Sequence, residues 1–314
     1  MMDGNNLRDE TVARLRKEIE AAGSPAVCLA TVLVGGDKPS HIYVASKHKK
    51  AQEAGMISVG VHLEDDATQE QVEAEVRKLA LDPNVHGILV QLPLPKHLDS
   101  EPILALLPPE KDVDGLTERS MGRLMRSLPG HAPCTPLGVM RLLERYNIAT
   151  KGKKVVVIGR SFLTGLPQVI LFISKGGDAT TTCAHSMTPP EDLKEMCFGA
   201  DIIVSCVGIA HMIKADFVKP GATVVDVGVT RVDGKIVGDV DFDAVQAVAG
   251  AITPMPGGTG PMTIGCLLEN TLSAHLCHQV HLGCREIDVG WNNIQVFNRS
   301  FLDDRHRIHA VIHH

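Results

Sequence analysis

No apolar run in this chain approaches the ~20 residues that a membrane-spanning helix needs, so no membrane partner is expected. Basic residues are outnumbered, 31 Lys and Arg against 37 Asp and Glu for a net charge of −6. The basic face of a nucleic-acid binder is therefore not expected either. The first residues, Met1-Met2-Asp3-Gly4-Asn5-Asn6, lack the basic and apolar regions of a secretory leader. No internal repeat or low-complexity segment stands out. The eight cysteines are scattered, some inside apolar runs such as Val204-Ser205-Cys206-Val207. Reduced core cysteines look like this, and a cytoplasmic location follows as the expectation. The dinucleotide fingerprint G-x-G-x-x-G is missing as well.

What is present is a chain of 314 residues with 44% hydrophobic content, which suits about two soluble domains. Apolar residues at helical spacing (Val12, Leu15, Ile19) predict a first helix over 7–19. Val27 to Val34 reads as a buried strand, followed by a helix opened by Pro39-Ser40 and closed by Gly55. Thr68 with Gln71 forms a capping box ahead of Val72, Val76 and Leu79. His86 to Val90 is the next strand. Thr135 predicts an N-cap, with Pro136 at the first helical position, at a domain boundary marked by Pro133-Cys134-Thr135-Pro136. Beyond it, strands at 155–158, 179–183, 200–207, 222–227 and near Ile252 alternate with helices. That rhythm predicts a parallel sheet covered on both faces.

The organising stretch runs from Val155 to Pro167. Its four apolar residues make a strand buried on both faces, Gly159 ends it, and a helix follows around Pro167. Strand, glycine turn and helix N-terminus together present free N–H groups and the positive helix end to an anion. The spacing G-x-S-x-x-x-G-x-P fits either a cofactor loop or a plain turn between strand and helix. After the 179–183 strand the chain reads Ala184-His185-Ser186, with no acid before Glu191. An NAD-selective site puts a carboxylate there. Its absence, with Arg160 in reach, favours the 2′-phosphate of NADP, unless His185 and Ser186 merely cap the next turn.

Other candidates are spread along the chain. Tyr43 and Lys47 share one helix face, so phenol and ammonium either converge on a pocket or pack together on a solvated face. Gln91 sits at the C-terminal end of a parallel strand, where open α/β sheets bind ligands, though it equally suits a turn cap. Lys111-Asp112-Val113-Asp114-Gly115 carries two carboxylates but no His or third acid, a poor metal case. The Pro/Gly cluster from Ile252 to Thr263 permits close backbone approach and reads as a ligand-contacting loop.

Taken in series, Ser40-x-x-Tyr43-x-x-x-Lys47, Gln91-Leu92-Pro93-Leu94, Lys111-Asp112-Val113-Asp114-Gly115, Pro133-Cys134-Thr135-Pro136, Gly159-Arg160-Ser161, His185-Ser186 and Pro256-Gly257-Gly258-x-Gly260-Pro261-Met262-Thr263 resemble the bifunctional methylenetetrahydrofolate dehydrogenase/cyclohydrolase family. The resemblance covers roughly residues 3 to 276. It implies an α/β molecule of two domains around a cleft, an α/β folate-binding catalytic domain and a Rossmann-like parallel-sheet dinucleotide domain. The first would be residues 1–133 plus 262–280, the second 134–261, with 281–314 a divergent tail. It implies Lys47, Tyr43, Gln91 and Asp114 as the catalytic set. Leu92, Pro256, Gly257, Gly258 and Pro261 would join them around the folate. Gly159, Arg160, Ser161, Thr164, Gly165, His185, Ser186 and Thr230 would hold NADP. The implied substrates are one-carbon derivatives of tetrahydrofolate, the implied assembly a homodimer through the cofactor domain. Loss of the cyclohydrolase step, or a folate-binding paralogue without turnover, are the alternatives.

Tyr-x-x-x-Lys also occurs in short-chain dehydrogenases, but there it follows the dinucleotide loop, and here it precedes it in another domain. Thr164 and Thr259 stand where the resembled family usually has Val, and each added hydroxyl needs a partner. From about residue 277 onward nothing matches. His275, Cys277, His278, His281 and Cys284 follow no standard zinc spacing, and no metal is expected.

Overall fold

The computed structural model describes residues 1–281. Helix α1 (Gly4–Ala21) starts where the Asp3 carboxylate accepts the N–H groups of Asn5 and Asn6, and it buries Val12, Leu15 and Ile19. Strand β1 (Cys28–Val34) is buried throughout. Helix α2 (Lys38–Glu53) is capped by Asp37 with Pro39 in its first turn. Gly55 closes it in the left-handed region at φ 81°.

Strand β2 (Ile57–Leu63) has no counterpart among the predicted elements. It lies at a sheet edge and is mostly exposed, so its alternation of Ile57, Val59, Val61 and Leu63 buries no full face. Helix α3 (Gln69–Leu81) has the expected capping box, and strand β3 (Gly87–Val90) is buried. The three strands are parallel in the order β2-β1-β3. Short helices α4 (Ser100–Leu104) and α5 (Glu118–Met125) lead out of this half.

Helix α6 (Cys134–Arg145) corrects one expectation. Its N-cap is Pro133, without a side-chain bond, and Thr135 lies inside the first turn. There the Thr135 hydroxyl has a better partner, Oγ1 of Thr263 at 2.9 Å. Then follow β4 (Lys154–Ile158), α7 (Gly165–Ile173), β5 (Thr180–Ala184), α8 (Pro190–Gly199), β6 (Ile202–Ser205) and β7 (Thr223–Asp226). A hairpin, β8 (Thr230–Val232) with β9 (Lys235–Val237), precedes α9 (Phe242–Val245), β10 (Ala251–Ile252) and the long α10 (Thr259–His281). The second sheet is parallel in the order β10-β7-β6-β4-β5. Its connections leave β4 in opposite directions, and that reversal opens a crevice beyond the C-terminal ends of β4 and β6.

The two sheets are joined through α1, α6 and α10. Leu15, Leu142, Leu143, Leu267 and Leu268 belong to one buried cluster that also holds Leu89 of the first sheet and Val157 of the second. A Cβ on Gly138 would stand 2.9 Å from Met262 Cβ, so α6 and α10 approach closely only because glycine sits there. Arg141 Nε meets Glu269 at 3.2 Å and Arg14 pairs with the same carboxylate, tying all three helices. Truncating one of these leucines to Ala would cost about 2–5 kcal/mol.

Candidate active site

A cavity of about 690 Å³ opens between the two halves. Lys47 reaches it from α2, buried, with Nζ donating to Oε1 of Gln91 at 2.9 Å. Gln91 follows directly on β3, and its own amide donates to the Leu92 carbonyl at 2.5 Å. The amide is thus locked with its oxygen toward the amine. Tyr43, one helical turn before Lys47, faces the same cavity, so the shared face predicted from spacing brings both groups into one pocket. Leu92 lines it too.

Asp112 and Asp114 separate cleanly. The Asp112 carboxylate is buried and accepts the N–H groups of Gly115 (3.0 Å), Leu116 (3.2 Å) and Thr117 (2.9 Å), so it builds the loop. Asp114 lines the cavity. Burial pushes its carboxyl up, and the Lys47 charge pulls it partly back. Burial likewise pushes the Lys47 amine down, opposed by Asp114. Both groups are therefore drawn toward their neutral forms, which leaves Lys47 able to take up a proton.

The Pro/Gly loop forms the facing wall with Pro256, Gly257 and Pro261. Gly258 departs from expectation, being buried beneath this wall instead of lining it. A Cβ there would stand 2.6 Å from the Pro254 carbonyl, and one on Gly4 would strike the Gly258 carbonyl at 1.7 Å. The Gly4 N–H donates to Gly257 O at 2.9 Å, so the start of α1 props the loop. Thr259 is buried and donates its hydroxyl to Asp226 O at 3.1 Å, which satisfies the group that a valine would lack.

The second cluster lies at the crevice of the parallel sheet. Gly159 adopts φ 119° with Cys206 packed against its Cα, and a Cβ on Gly165 would stand 2.2 Å from Gly159 O. Both glycines let the loop fold tightly back over the start of α7. Ser161 Oγ lies 2.8 Å from Thr164 Oγ1 and accepts the Thr164 N–H at 3.3 Å, so the second valine-to-threonine difference also has its partner. Arg160 is exposed, and its charge is felt by the Cys183 thiol near the end of β5, just before His185. His185 Nδ1 accepts the Met187 N–H at 3.3 Å and so holds its own turn. Ser186 is exposed beside it. Thr230 Oγ1 is buried without a hydrogen-bond partner. A helix N-terminus, a cation at the strand end, no carboxylate at 184–186 and an orphaned hydroxyl fit a dinucleotide carrying an extra phosphate.

Of the cofactor candidates only Thr164 also lines the cleft cavity; Gly159, Arg160, Ser161, Gly165, His185, Ser186 and Thr230 stand outside it. The cavity also recruits residues that sequence reasoning missed, among them Asn5, Ile42, Cys134, Val229 and Ile236. Val229 directly precedes β8 and Ile236 lies on β9, in a hairpin whose Asp233-Gly234 turn is a legible signal. His275 and His278 pack edge-on against His86, with ring centroids 4.4 and 5.8 Å apart. Among the described residues no group of three such side chains is arranged to hold a metal ion. Cys284 and the rest of the tail from 282 lie outside the described residues.

Residues 2–114 match the model of the tetrahydrofolate dehydrogenase/cyclohydrolase catalytic domain, and residues 133–279 match that of its NAD(P)-binding domain. The chain is 50% identical over 272 residues to the bifunctional protein FolD of Methanospirillum hungatei, spanning 86% of this chain and 95% of that one. Among solved structures it is similar to the bifunctional FolD enzyme of Campylobacter jejuni, with 41% identity, a TM-score of 0.84 and coverage of 88% and 98%. It is also similar to Trypanosoma brucei FolD complexed with NADP cofactor and inhibitor, with 36% identity, a TM-score of 0.84 and coverage of 90% and 98%.

Proposed function

The chain belongs to the tetrahydrofolate dehydrogenase/cyclohydrolase family, and from that premise we infer that it is a bifunctional enzyme. It oxidises 5,10-methylenetetrahydrofolate to 5,10-methenyltetrahydrofolate with NADP and hydrolyses the product to 10-formyltetrahydrofolate. The observation that carries this reading is one contact, the buried Lys47 amine 2.9 Å from Gln91 in a cavity shared with Asp114 and Tyr43.

Asp114 receives the amino and ring N–H donors of the pterin, which a carboxylate suits because it only accepts. Tyr43 stacks on the aminobenzoyl ring, and Leu92 with the Pro256–Pro261 loop closes the remaining walls. The Gly159–Gly165 loop with Arg160, Ser161, His185, Ser186 and Thr230 would hold NADP, which would supply the hydride acceptor. The first step needs orientation of the methylene carbon more than a strong base, and the opposed walls of the cleft provide it.

The second step needs proton transfers. Water adds to the methenyl carbon while Lys47, desolvated and tending to neutral, takes its proton. The same ammonium then returns a proton to N5 as the carbon–N5 bond breaks, and the hydroxyl on that carbon gives its proton to solvent as its C=O forms, leaving the formyl group on N10. Gln91 Oε1 fixes the direction of the amine throughout. One lysine therefore serves a reaction that needs a movable proton and no metal ligand set.

We assign residues 1–133 plus 262–280 to the folate-binding half and 134–261 to the NADP-binding half. α10 begins at Thr259, slightly ahead of that division. A homodimer through the open edge of the second sheet at β5 accords with an unpaired parallel-sheet margin. No helix among the described residues is long and apolar enough to cross a membrane. The unbridged thiols of Cys28, Cys134, Cys183, Cys197, Cys206 and Cys266 support a reducing, cytoplasmic setting.

Following the absorbance of the methenyl compound tests the activity. A bifunctional enzyme makes and clears it. A protein that accumulates it has only the dehydrogenase step, and one that leaves it unformed is a binder.

A further inference from the structure

Asn270 lies on α10, buried, and is not among the residues that line the cleft cavity. Its Nδ2 donates to Val113 O at 2.8 Å and to Ala132 O at 3.2 Å, with the Cys134 sulfur further off at 3.6 Å. A side-chain amide nitrogen carries two hydrogens, and these two carbonyls take both. Carbonyls only accept, so a reversed amide would set its oxygen against two others. The orientation of the side chain is therefore forced.

The two carbonyls belong to different segments. Val113 O is part of the planar peptide that carries Asp114, so holding it fixes the plane from which the Asp114 Cα departs. Cys134 Sγ donates to the same oxygen at 3.2 Å and fills its second lone pair. Ala132 O lies just ahead of α6. The two segments meet at Gly115, where a Cβ would stand 2.6 Å from Ala132 C. On its other side Val113 packs against Gly87 of β3, where a Cβ would stand 2.7 Å from Val113 Cγ1. Asp112 secures the loop after Asp114, at the N–H groups of Gly115, Leu116 and Thr117, and Asn270 secures the peptide before it. Between the two clamps Asp114 enters the cavity, with Cys134 beside it in the lining.

We propose that Asn270 is a positioning residue for pterin recognition, setting the direction of the Asp114 carboxylate through the Val113 carbonyl. The proposal rests on the folate reading given above, in which Asp114 receives the pterin donors. Hydrogen bonds weaken steeply with misalignment, so a tilt of the 113–114 peptide costs pterin binding. The NADP loop at 159–165 belongs to the other sheet and is untouched by such a tilt. Nor does the seat of α10 depend on Asn270, because Glu269 pairs with Arg141 and Arg14 one residue earlier.

A double-mutant cycle with Asp114 tests this. In titrations with 10-formyltetrahydrofolate, Asn270→Ala should weaken binding about tenfold, while NADP affinity stays within about twofold. In the Asp114→Asn background the same change should weaken folate binding by less than about twofold, because the carboxylate it positions is gone. Equal losses in the two backgrounds, or equal losses for folate and NADP, would make the asparagine a structural residue only and overturn the proposal. Asn270→Asp is nearly isosteric and serves if Asn270→Ala fails to fold. At pH 6 a buried carboxyl facing two carbonyl oxygens stays protonated and donates one hydrogen bond. This variant should weaken the folate about threefold, again only where Asp114 is present, and a loss that persists in Asp114→Asn overturns the proposal. If Asp114→Asn alone leaves folate affinity unchanged, the pterin role of Asp114 falls and the proposal with it. A wild-type protein that does not bind the folate overturns the folate reading itself.

Discussion

Asp112 and Asp114, two residues apart in one loop, perform opposite tasks. Three backbone N–H groups occupy the Asp112 carboxylate, and Asp114 turns into the cavity beside Lys47. Asp114→Asn puts a donor opposite the pterin donors and should weaken folate binding by about 1–3 kcal/mol with little change in stability. Asp112→Asn should lower stability by a similar amount, because it trades a charged acceptor of three N–H groups for a neutral one. Folate titration and urea unfolding of the two variants check the division. Equal folate affinities would refute it.

In the proposed mechanism Lys47 carries the proton of the hydrolytic step. Lys47→Met should abolish hydrolysis of methenyltetrahydrofolate while hydride transfer falls much less, since only hydrolysis needs the proton carrier. Burial lowers the Lys47 pKa from its ordinary 10.5. The wild-type hydrolysis rate should therefore rise with pH and level off below the range of a free lysine. A variant that hydrolyses at the wild-type rate, or a profile still rising at pH 10.5, would remove Lys47 from that role.

Much of this site is legible in the chain. Tyr43 and Lys47 at i, i+4, Gln91 at a strand end and the glycines of the 159–165 loop follow from local periodicity and turn chemistry. Asp112 and Asp114 are indistinguishable by type, and only the fold shows which one the backbone consumes. Gly258 reads like its neighbours, yet its position against Gly4 comes from a contact more than 250 residues away. Strand β2 is hidden because an exposed edge leaves no clear buried side. Thr135 is a good cap by type, but Thr263 competes for its hydroxyl, and that pairing is a tertiary fact.

Acid should act on the first half through His86. Its imidazole is pushed from 6.5 down to about 4, first by burial and then by His275, His278 and Lys111, with Asp82 opposing. Burial, then His278, also lowers His275. Between about pH 6.5 and 4 the unfolded chain binds more protons than the folded one, so stability falls as pH drops. For His86 alone this amounts to about 2 kcal/mol at pH 5. Asp226 works the other way. Burial raises it to about 6, so the folded chain binds more protons below that pH and gains stability. The wild-type slope is thus a partial cancellation. His86→Asn keeps an acceptor for the Cys28 N–H and removes the titration. It should lose less stability between pH 7 and 5 than the wild type in urea unfolding. A loss equal to that of the wild type would place the acid sensitivity elsewhere.

Discrimination for NADP over NAD should rest on Arg160. The 2′-phosphate brings up to two negative charges that NAD lacks, so the site must supply donors there and exclude acids. The loop after β5 offers His185 and Ser186 with no carboxylate, and Arg160 carries its charge to the same strand end. A guanidinium fork on a phosphate is a charge-assisted contact. Removing it by Arg160→Ala should cost roughly 1.5–3 kcal/mol, about ten- to a hundredfold in NADP affinity. Affinity for NAD should barely move, because the loop glycines and the start of α7, proposed to hold the shared pyrophosphate, are untouched. Comparing kcat/KM for both cofactors in wild type and variant separates the two roles Arg160 could play. A variant that loses both cofactors equally would make Arg160 a support of the loop, and the missing carboxylate at 184–186 would then have to carry the preference alone.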